Sequence, residues 1–365
     1  MKKQLLLLGF LGYALGINAQ CFTNIKSGYY FNQSVKANGT LWGWGTSAFG
    51  QMGNGSEADF YNPIQISPLT DWQDVFPGPS NTFALKNNGT IWCSGNNSTG
   101  QLGIGSTTSY INTFIQMGTD TNWSQVSASN NFTIALKTNG TLWGWGQNDS
   151  YQMGNGTCCS NRLSPGQIGP DTDWVQIEAC GIRTALALKS NGTLWGWGGN
   201  STGLVGPSNV GSRQYPTQLR PETDWATISA GQGHALALKT NGTLWGWGAG
   251  NYGQAGDTFP TIYFRDTPVQ VGTNTNWMYI GTGYYTSYGI QSDGTLWGWG
   301  RNDTGQVGDG TTTNRTQPVQ IGTDTDWIRV TGGVNHGIAQ KANGAIYTWG
   351  SNDFGQLGNG GTTAV

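Results

Sequence analysis

The sequence predicts an all-β protein, a seven-bladed propeller of four-stranded repeats about 50 residues long. Three observations predict it. The phrase Asn-Gly-Thr-Leu-Trp-Gly-Trp-Gly recurs, with variants, and its first aromatic falls at Trp42, Trp92, Trp143, Trp195, Trp245, Trp297 and Tyr347, at spacings of 50, 51, 52, 50, 52 and 50. A second marker aromatic precedes each by 20 or 21 residues: Phe22, Trp72, Trp123, Trp174, Trp225, Trp277 and Trp327. All 18 tryptophans occupy one of three repeat positions.

Each copy reads as four short strands bounded by turn residues. In the last copy these are residues 326–330, 337–341 and 345–349, and the fourth strand shows in the copy before, at 318–321. Helical solenoids are excluded because their copies need apolar residues at a period of 3.6. Between strands two and three stands Asn-Gly, replaced by Asp293-Gly294 in the sixth copy. That dipeptide predicts a two-residue type I′ hairpin. Five of these turns also match the glycosylation triplet Asn-Gly-Thr, which the turn explains without sugar.

In Leu244-Trp245-Gly246-Trp247-Gly248 a period of two puts both indoles on one face and the glycines on the other. Such sheets are expected to stack radially, aromatic against glycine, each buried indole contributing roughly 2 to 3 kcal/mol. The copies start near 21, 71, 122, 173, 224, 276 and 326, making residues 21–365 a single domain. The seventh copy stops before its fourth strand, and the first offers no spare strand to complete it. The count is 27 strands where a closed ring wants 28. Either one blade has three strands or the chain is a truncated form of a longer protein, the reading we favour. A lost tail would have carried a sorting or anchoring domain.

Lys2 and Lys3 precede an apolar stretch over residues 5–17 that is too short for a membrane span. Residues 1–20 therefore read as a cleaved secretory signal, and the mature protein as secreted or held at the cell surface. Outside the cytoplasm disulfides are allowed, and a bridge from Cys158 or Cys159 to Cys180 is one option; with Cys21 and Cys93 the count is odd. A net charge of -2 gives no electrostatic case for nucleic acid.

The elements Gly-Gln-Leu-Gly at 100–103 and 355–358, Gly-x-x-His-x-x-Ala-Leu at 231–238 and Trp-Gly-x-Asn together resemble the regulator of chromosome condensation repeat. The resemblance covers residues 21–360 and implies a seven-bladed propeller. Members include a nuclear exchange factor for a small GTPase, a plant ultraviolet receptor and secreted bacterial β-lactamase-inhibitory proteins. Together with the signal peptide, it places this chain beside the exported bacterial group and argues against nucleotide exchange.

Candidates for chemistry are few. His234 and His336 occupy equivalent positions two blades apart, too far to share a metal or a proton, and read as structural. The Asp-Thr-Asp runs at 171–173 and 324–326 lack the glycine and distant glutamate of a calcium loop. No catalytic motif, metal site or cofactor is expected.

Binding is expected where copies diverge, between strands one and two: Tyr29, Tyr30, Phe132, Arg183, His234, Tyr284, Tyr285 and His336. Aromatics and arginine are the usual hot-spot residues. A second set, Arg162, Arg213, Arg265 and Arg315, precedes fourth strands in four successive blades and is expected to pair with a neighbouring blade's aspartate. The expected function is non-catalytic recognition of a protein partner by a monomer, through one loop face. The alternative is carbohydrate binding, with Tyr29, Tyr30, Tyr284 and Tyr285 stacking on sugar rings.

Overall fold

The computed structural model describes residues 13–14, 22–207, 209–256 and 264–364. Seven four-stranded antiparallel sheets form the blades. Blade 1 comprises Phe22–Ser27, Phe31–Lys36, Leu41–Gly45 and Phe60–Gln65 from channel to rim, and blades 2 to 6 repeat this order. Blade 7 draws Trp327–Gly332, His336–Lys341 and Ile346–Gly350 from its own repeat. Its outer edge meets only a two-residue strand, Tyr13–Ala14, paired antiparallel with Thr348 and Tyr347. The seventh repeat thus supplies three strands, as the sequence predicts, and two residues of the upstream chain pair with its outer edge. The remainder of the segment read as an export signal lies outside the described residues, as does Cys21.

The hairpin between strands two and three is not type I′. In blade 3 the Gly140 N–H donates to Lys137 O at 2.9 Å, and only the glycine, at φ 73°, has positive φ. This is a type I turn followed by a left-handed glycine, the three-residue hairpin. A Cβ on Gly140 would lie 2.1 Å from the Thr172 carbonyl, so close approach to the next blade also demands glycine. Asn139 Oδ1 accepts from the Thr141 N–H and hydroxyl at 3.2 and 2.7 Å, and Thr141 Oγ1 accepts the Trp143 indole N–H at 2.9 Å. The whole triplet serves the turn.

The apolar core is divided among the seven interblade interfaces. Phe83 and Leu102 of blade 2 pack with Trp123 and Trp145 of blade 3, and every other adjacent pair has a corresponding cluster. The indoles do not meet the third-strand glycines of a neighbouring blade, as the pattern alone suggested. Trp145 instead packs on Gly103, in the loop before the preceding blade's fourth strand, and donates its indole N–H to Gln101 O at 2.8 Å. The space beside Gly144 is taken by Met153 and Ile168 of its own blade. Equivalent bonds run from Trp44, Trp197, Trp247, Trp299 and Trp349. In blade 2, Ser94 stands in for the indole and donates to Gln51 O at 3.2 Å.

Candidate functional site

One face of the propeller carries the loops between strands one and two and those between strands three and four. The Asn-Gly turns lie on the other. On the first face the one–two loops ring the channel mouth, and those of blades 5, 6, 7 and 1 are joined by main-chain bonds. Val334 N donates to Tyr29 O, Tyr284 N to Gly333 O and Gln232 N to Tyr284 O, at 2.9, 2.9 and 3.0 Å. Glycines precede these loops because carbonyls crowd in: a Cβ on Gly333 would lie 2.4 Å from Tyr29 O.

This ring gathers the expected tyrosines. Tyr29 meets Tyr30 at 6.4 Å between ring centroids and Tyr284 at 5.0 Å, and Tyr284 meets Tyr285 at 4.4 Å, all edge-on. Tyr29 reaches across the channel and donates its hydroxyl to Gln232 Oε1 of blade 5 at 3.1 Å. Burial, with Tyr284 close by, pushes its phenol well above the ordinary range, and burial beside Tyr285 pushes Tyr284 up to about 12. Tyr29 is thus a plug across the mouth.

Three members of the cluster come from the three–four loops, where the sequence reading did not look. Phe354 packs on Tyr30 at 5.0 Å and Tyr252 on Tyr285 at 5.3 Å. The Arg301 guanidinium lies 5.6 and 5.9 Å from the Tyr252 and Tyr285 ring centres and pairs with Asp303. The available signal was the residue before Gly-Gln, or its equivalent, aromatic in Phe49, Tyr252 and Phe354 and a hydroxyl residue in the other four copies. Together these side chains form an arc over blades 5, 6, 7 and 1.

The remaining candidates lie elsewhere. Phe132, His234 and His336 are fully buried and out of a partner's reach. His234 Nε2 donates to Ser287 Oγ at 2.9 Å, that hydroxyl being committed as donor to Gln254 O; His336 Nε2 donates to Asn32 Oδ1 at 3.0 Å. Burial lowers both imidazoles to about 3, so they are neutral blade-to-blade links. Divergence between copies at this position is interface packing rather than freedom from it: histidine faces Ser287 or Asn32, whereas Phe132 shares a cluster with Ala185. Arg183 is exposed in the opposite half of the face and pairs with Asp149 at 3.2 Å.

Three of the four repeat arginines act within their own blades. Arg315 binds Asp309 at 2.5 Å, Arg213 donates to Val205 O at 3.1 Å and Arg162 lies over Gly166. Arg265 precedes Asp266 at the start of its fourth strand and is not without a partner. The Asp-Thr-Asp carboxylates face a cation: Asp171 and Asp173 hold Lys189 at 2.7 and 3.0 Å, and Asp324 and Asp326 hold Lys341 at 2.8 and 2.9 Å. Cys158 is bonded to its neighbour Cys159, leaving Cys180 and Cys93 free and buried; the considered bridge to Cys180 is not formed.

A family model described as Regulator of chromosome condensation (RCC1) repeat matches residues 38–85, 88–136, 139–188, 191–238, 293–340 and 343–365. A second model of the same description matches four further segments between 74 and 254. The mitochondrial RCC1 domain-containing protein RUG3 of Arabidopsis thaliana is 31% identical over 112 residues, 30% of this chain and 25% of that protein. The ultraviolet-B receptor UVR8 of the same plant is 26% identical over 193 residues, 53% of this chain and 32% of the receptor. The matches thus span a quarter to a third of these relatives' length. Yeast RCC1 (Prp20), solved bound to Kap60, superposes with a TM-score of 0.75 at 20% identity, covering 93% of this chain and 82% of that one. At that identity the likeness establishes the fold alone.

Proposed function

The chain belongs to the regulator of chromosome condensation repeat family, and from that premise we propose that it is an exported, monomeric, non-catalytic recognition protein that holds a protein partner on one loop face. The observation that carries this reading is the continuity of Phe354, Tyr30, Tyr29, Tyr284, Tyr285 and Tyr252 with Arg301. The arc joins four blades, is half-buried to exposed, and combines the side chains that dominate protein interfaces. Three of its ring pairs pack edge to face and two are tilted, presenting mixed edges rather than repeated flat platforms, which favours a protein surface over a sugar. An inhibitor-like role toward an extracellular or envelope enzyme is the form of recognition we favour.

The test uses residues 21–365 as bait in envelope and culture extracts, beside a variant carrying Tyr30→Ala, Tyr252→Ala, Arg301→Ala and Phe354→Ala. Tyr29 stays intact because it plugs the channel. A control, Met278→Ala, alters an exposed side chain on the opposite face. A protein retained by wild type and control but lost from the quadruple variant is the expected result. Equal retention by all three removes the arc as the site. Recovery of polysaccharide in place of protein would establish the lectin reading instead.

A further inference from the structure

The lumen of the ring is a second place where unsatisfied chemistry collects. The innermost strand of each blade carries a bulge just after its marker aromatic: Trp123 pairs with Lys137, but Gln125 already pairs with Leu136. The residues two and four places after the marker line the lumen, a cavity of about 540 Å³. That is the size of a small-molecule site. Tyr29 and Tyr284 line its loop-face end. Toward the Asn-Gly turns it meets a second cavity that shares Lys26, Phe76 and Gln125, which provides the way in.

Most polar groups in the lumen are already engaged. Lys26 pairs with Asp74 at 3.6 Å and lies over the Phe76 ring at 4.6 Å. Gln176 uses both ends of its amide on the Ile228 main chain, at 2.7 and 3.0 Å. Ser229 bonds Thr282 at 3.0 Å. Two charged groups are left over. The side chains of Glu178 of blade 4 and Arg329 of blade 7 line the cavity and make no hydrogen bond or ion pair among the described residues; Tyr279 and Gln125 likewise leave a hydroxyl and an amide uncommitted. In a ring of seven, blade 4 stands opposite blades 7 and 1, so Glu178 and Arg329 come from opposite walls of the lumen, with Lys26 of blade 1 also acting on Glu178.

We infer that the lumen binds a small zwitterionic amine, its ammonium against Glu178 and its acid group against Arg329. Both residues are half-buried in the lumen wall with no side-chain bond of their own, and the two ionisable groups, of opposite type, come from opposite walls. A simple cation satisfies one and a simple anion the other. A molecule with an ammonium at one end and an acid at the other satisfies both, with Tyr279 and Gln125 as flanking hydrogen-bond partners. Burial raises the Glu178 carboxyl to about 8 against the pull of Lys26, so the empty site holds it largely neutral, and an ammonium beside it would draw off its proton. This inference concerns the lumen alone and is independent of the loop-face reading.

The experiment is calorimetric titration of residues 21–365 with linear ω-amino acids from glycine to 6-aminohexanoate, which act as a ruler for the charge separation. Alkylamines and alkyl carboxylates of matching length are the controls. We expect one saturable site for at least one zwitterion, with controls weaker by about tenfold or more, and a loss of about tenfold or more in both Glu178→Gln and Arg329→Met. Circular dichroism and tryptophan emission report whether each variant keeps the propeller. Absence of heat with every zwitterion at about 10 mM overturns the inference. So does a carboxylate or an amine binding as well as its zwitterion, or unchanged binding in either folded variant. Should Arg329→Met fail to fold, Arg329→Lys replaces it, with the same loss expected because an ammonium does not reproduce the guanidinium fork.

Discussion

Trp44 donates its indole N–H to the main-chain carbonyl of Gln356, 312 residues away, at 3.0 Å. The same carbonyl accepts from Asn32 Nδ2 at 2.7 Å, and Gln340 Nε2 donates to Phe22 O at 2.7 Å. The ring is thus closed by the same indole-to-loop bond that joins five of the other six interfaces. Trp44→Phe is expected to cost about 1 to 2 kcal/mol and Trp44→Ala about 3 to 5, matched by the same changes at Trp145. Removing residues 1–20, and with them the Tyr13–Ala14 pairing, is expected to cost less than about 1 kcal/mol, because side chains rather than a shared sheet hold blade 7 to blade 1. Urea midpoints check all of these; a much larger cost for the deletion would transfer the closure to the outer strand.

His234 and His336 make the protein acid-sensitive. Their folded imidazoles titrate at about 3, against an unfolded value near 6.5. Above pH ~6.5 both states are neutral and nothing is lost; below it the unfolded chain gains protons that the native interface refuses. Stability therefore falls from pH ~6.5 toward 3, by about 2 kcal/mol per histidine at pH 5. His234→Thr with Ser287→Ala, which copies the Thr184 and Ala235 pair of the previous interface, should remove about half of that loss. An unchanged stability profile between pH 7 and 5 would show that the imidazoles are not buried neutral.

The repeat, the blade number and the strand order were legible in the sequence because each is enforced once per copy, and seven copies expose what packing requires. Two of the readings that failed did so because contacts between blades are invisible in a single repeat. Variation at Phe132, His234 and His336 looked like surface freedom, but a buried position also varies when its partner in the next blade varies with it. The indole was assigned to strand glycines because period-two patterning describes one sheet, whereas the contact is made by a loop glycine from another. Tyr252, Arg301 and Phe354 went unseen because only the one–two loops were compared, while the propeller brings two sets of loops to one face.

The lysine that ends the second strand in six of the blades is tunable. Lys189 lies 4.7 Å from both the Trp174 and the Trp195 ring centres and is held by Asp171 and Asp173. Burial alone would lower its pKa, but hydrogen bonds to the two aspartates raise it. That stabilisation is complete below the unfolded value near pH 10.4 and is lost as pH rises through the folded one. Blade 6 does the same job without charge, Asn276 donating to Gln291 at 3.1 Å. Asp171→Asn, Asp173→Asn and Lys189→Gln together should stay within about 1 kcal/mol of wild type and abolish this alkaline loss, since a buried pair is replaceable when both partners change. The two aspartate changes alone should cost about 1 to 2 kcal/mol, reduced from a fully buried pair by the carboxylates' exposure. Equal midpoints for the double and triple variants would mean that Lys189 needs no partner.

Tyr151 occupies, at φ 64°, a position that is glycine in the other six copies. Left-handed backbone costs a side-chain-bearing residue about 1 to 2 kcal/mol, so Tyr151→Gly should raise stability by about 1 kcal/mol. The same turn in other blades separates this strain from crowding. A Cβ on Gly305 meets nothing nearer than 4.0 Å, and Gly305→Ala should cost only the backbone term of about 1 kcal/mol. A Cβ on Gly50 would lie 2.4 Å from the Asn112 Cα of the next blade, so Gly50→Ala must also push two blades apart and should cost about 3 kcal/mol. Denaturant midpoints in that order place the strain in the backbone; a loss of stability in Tyr151→Gly would mean that the tyrosine ring contributes more packing than its backbone costs.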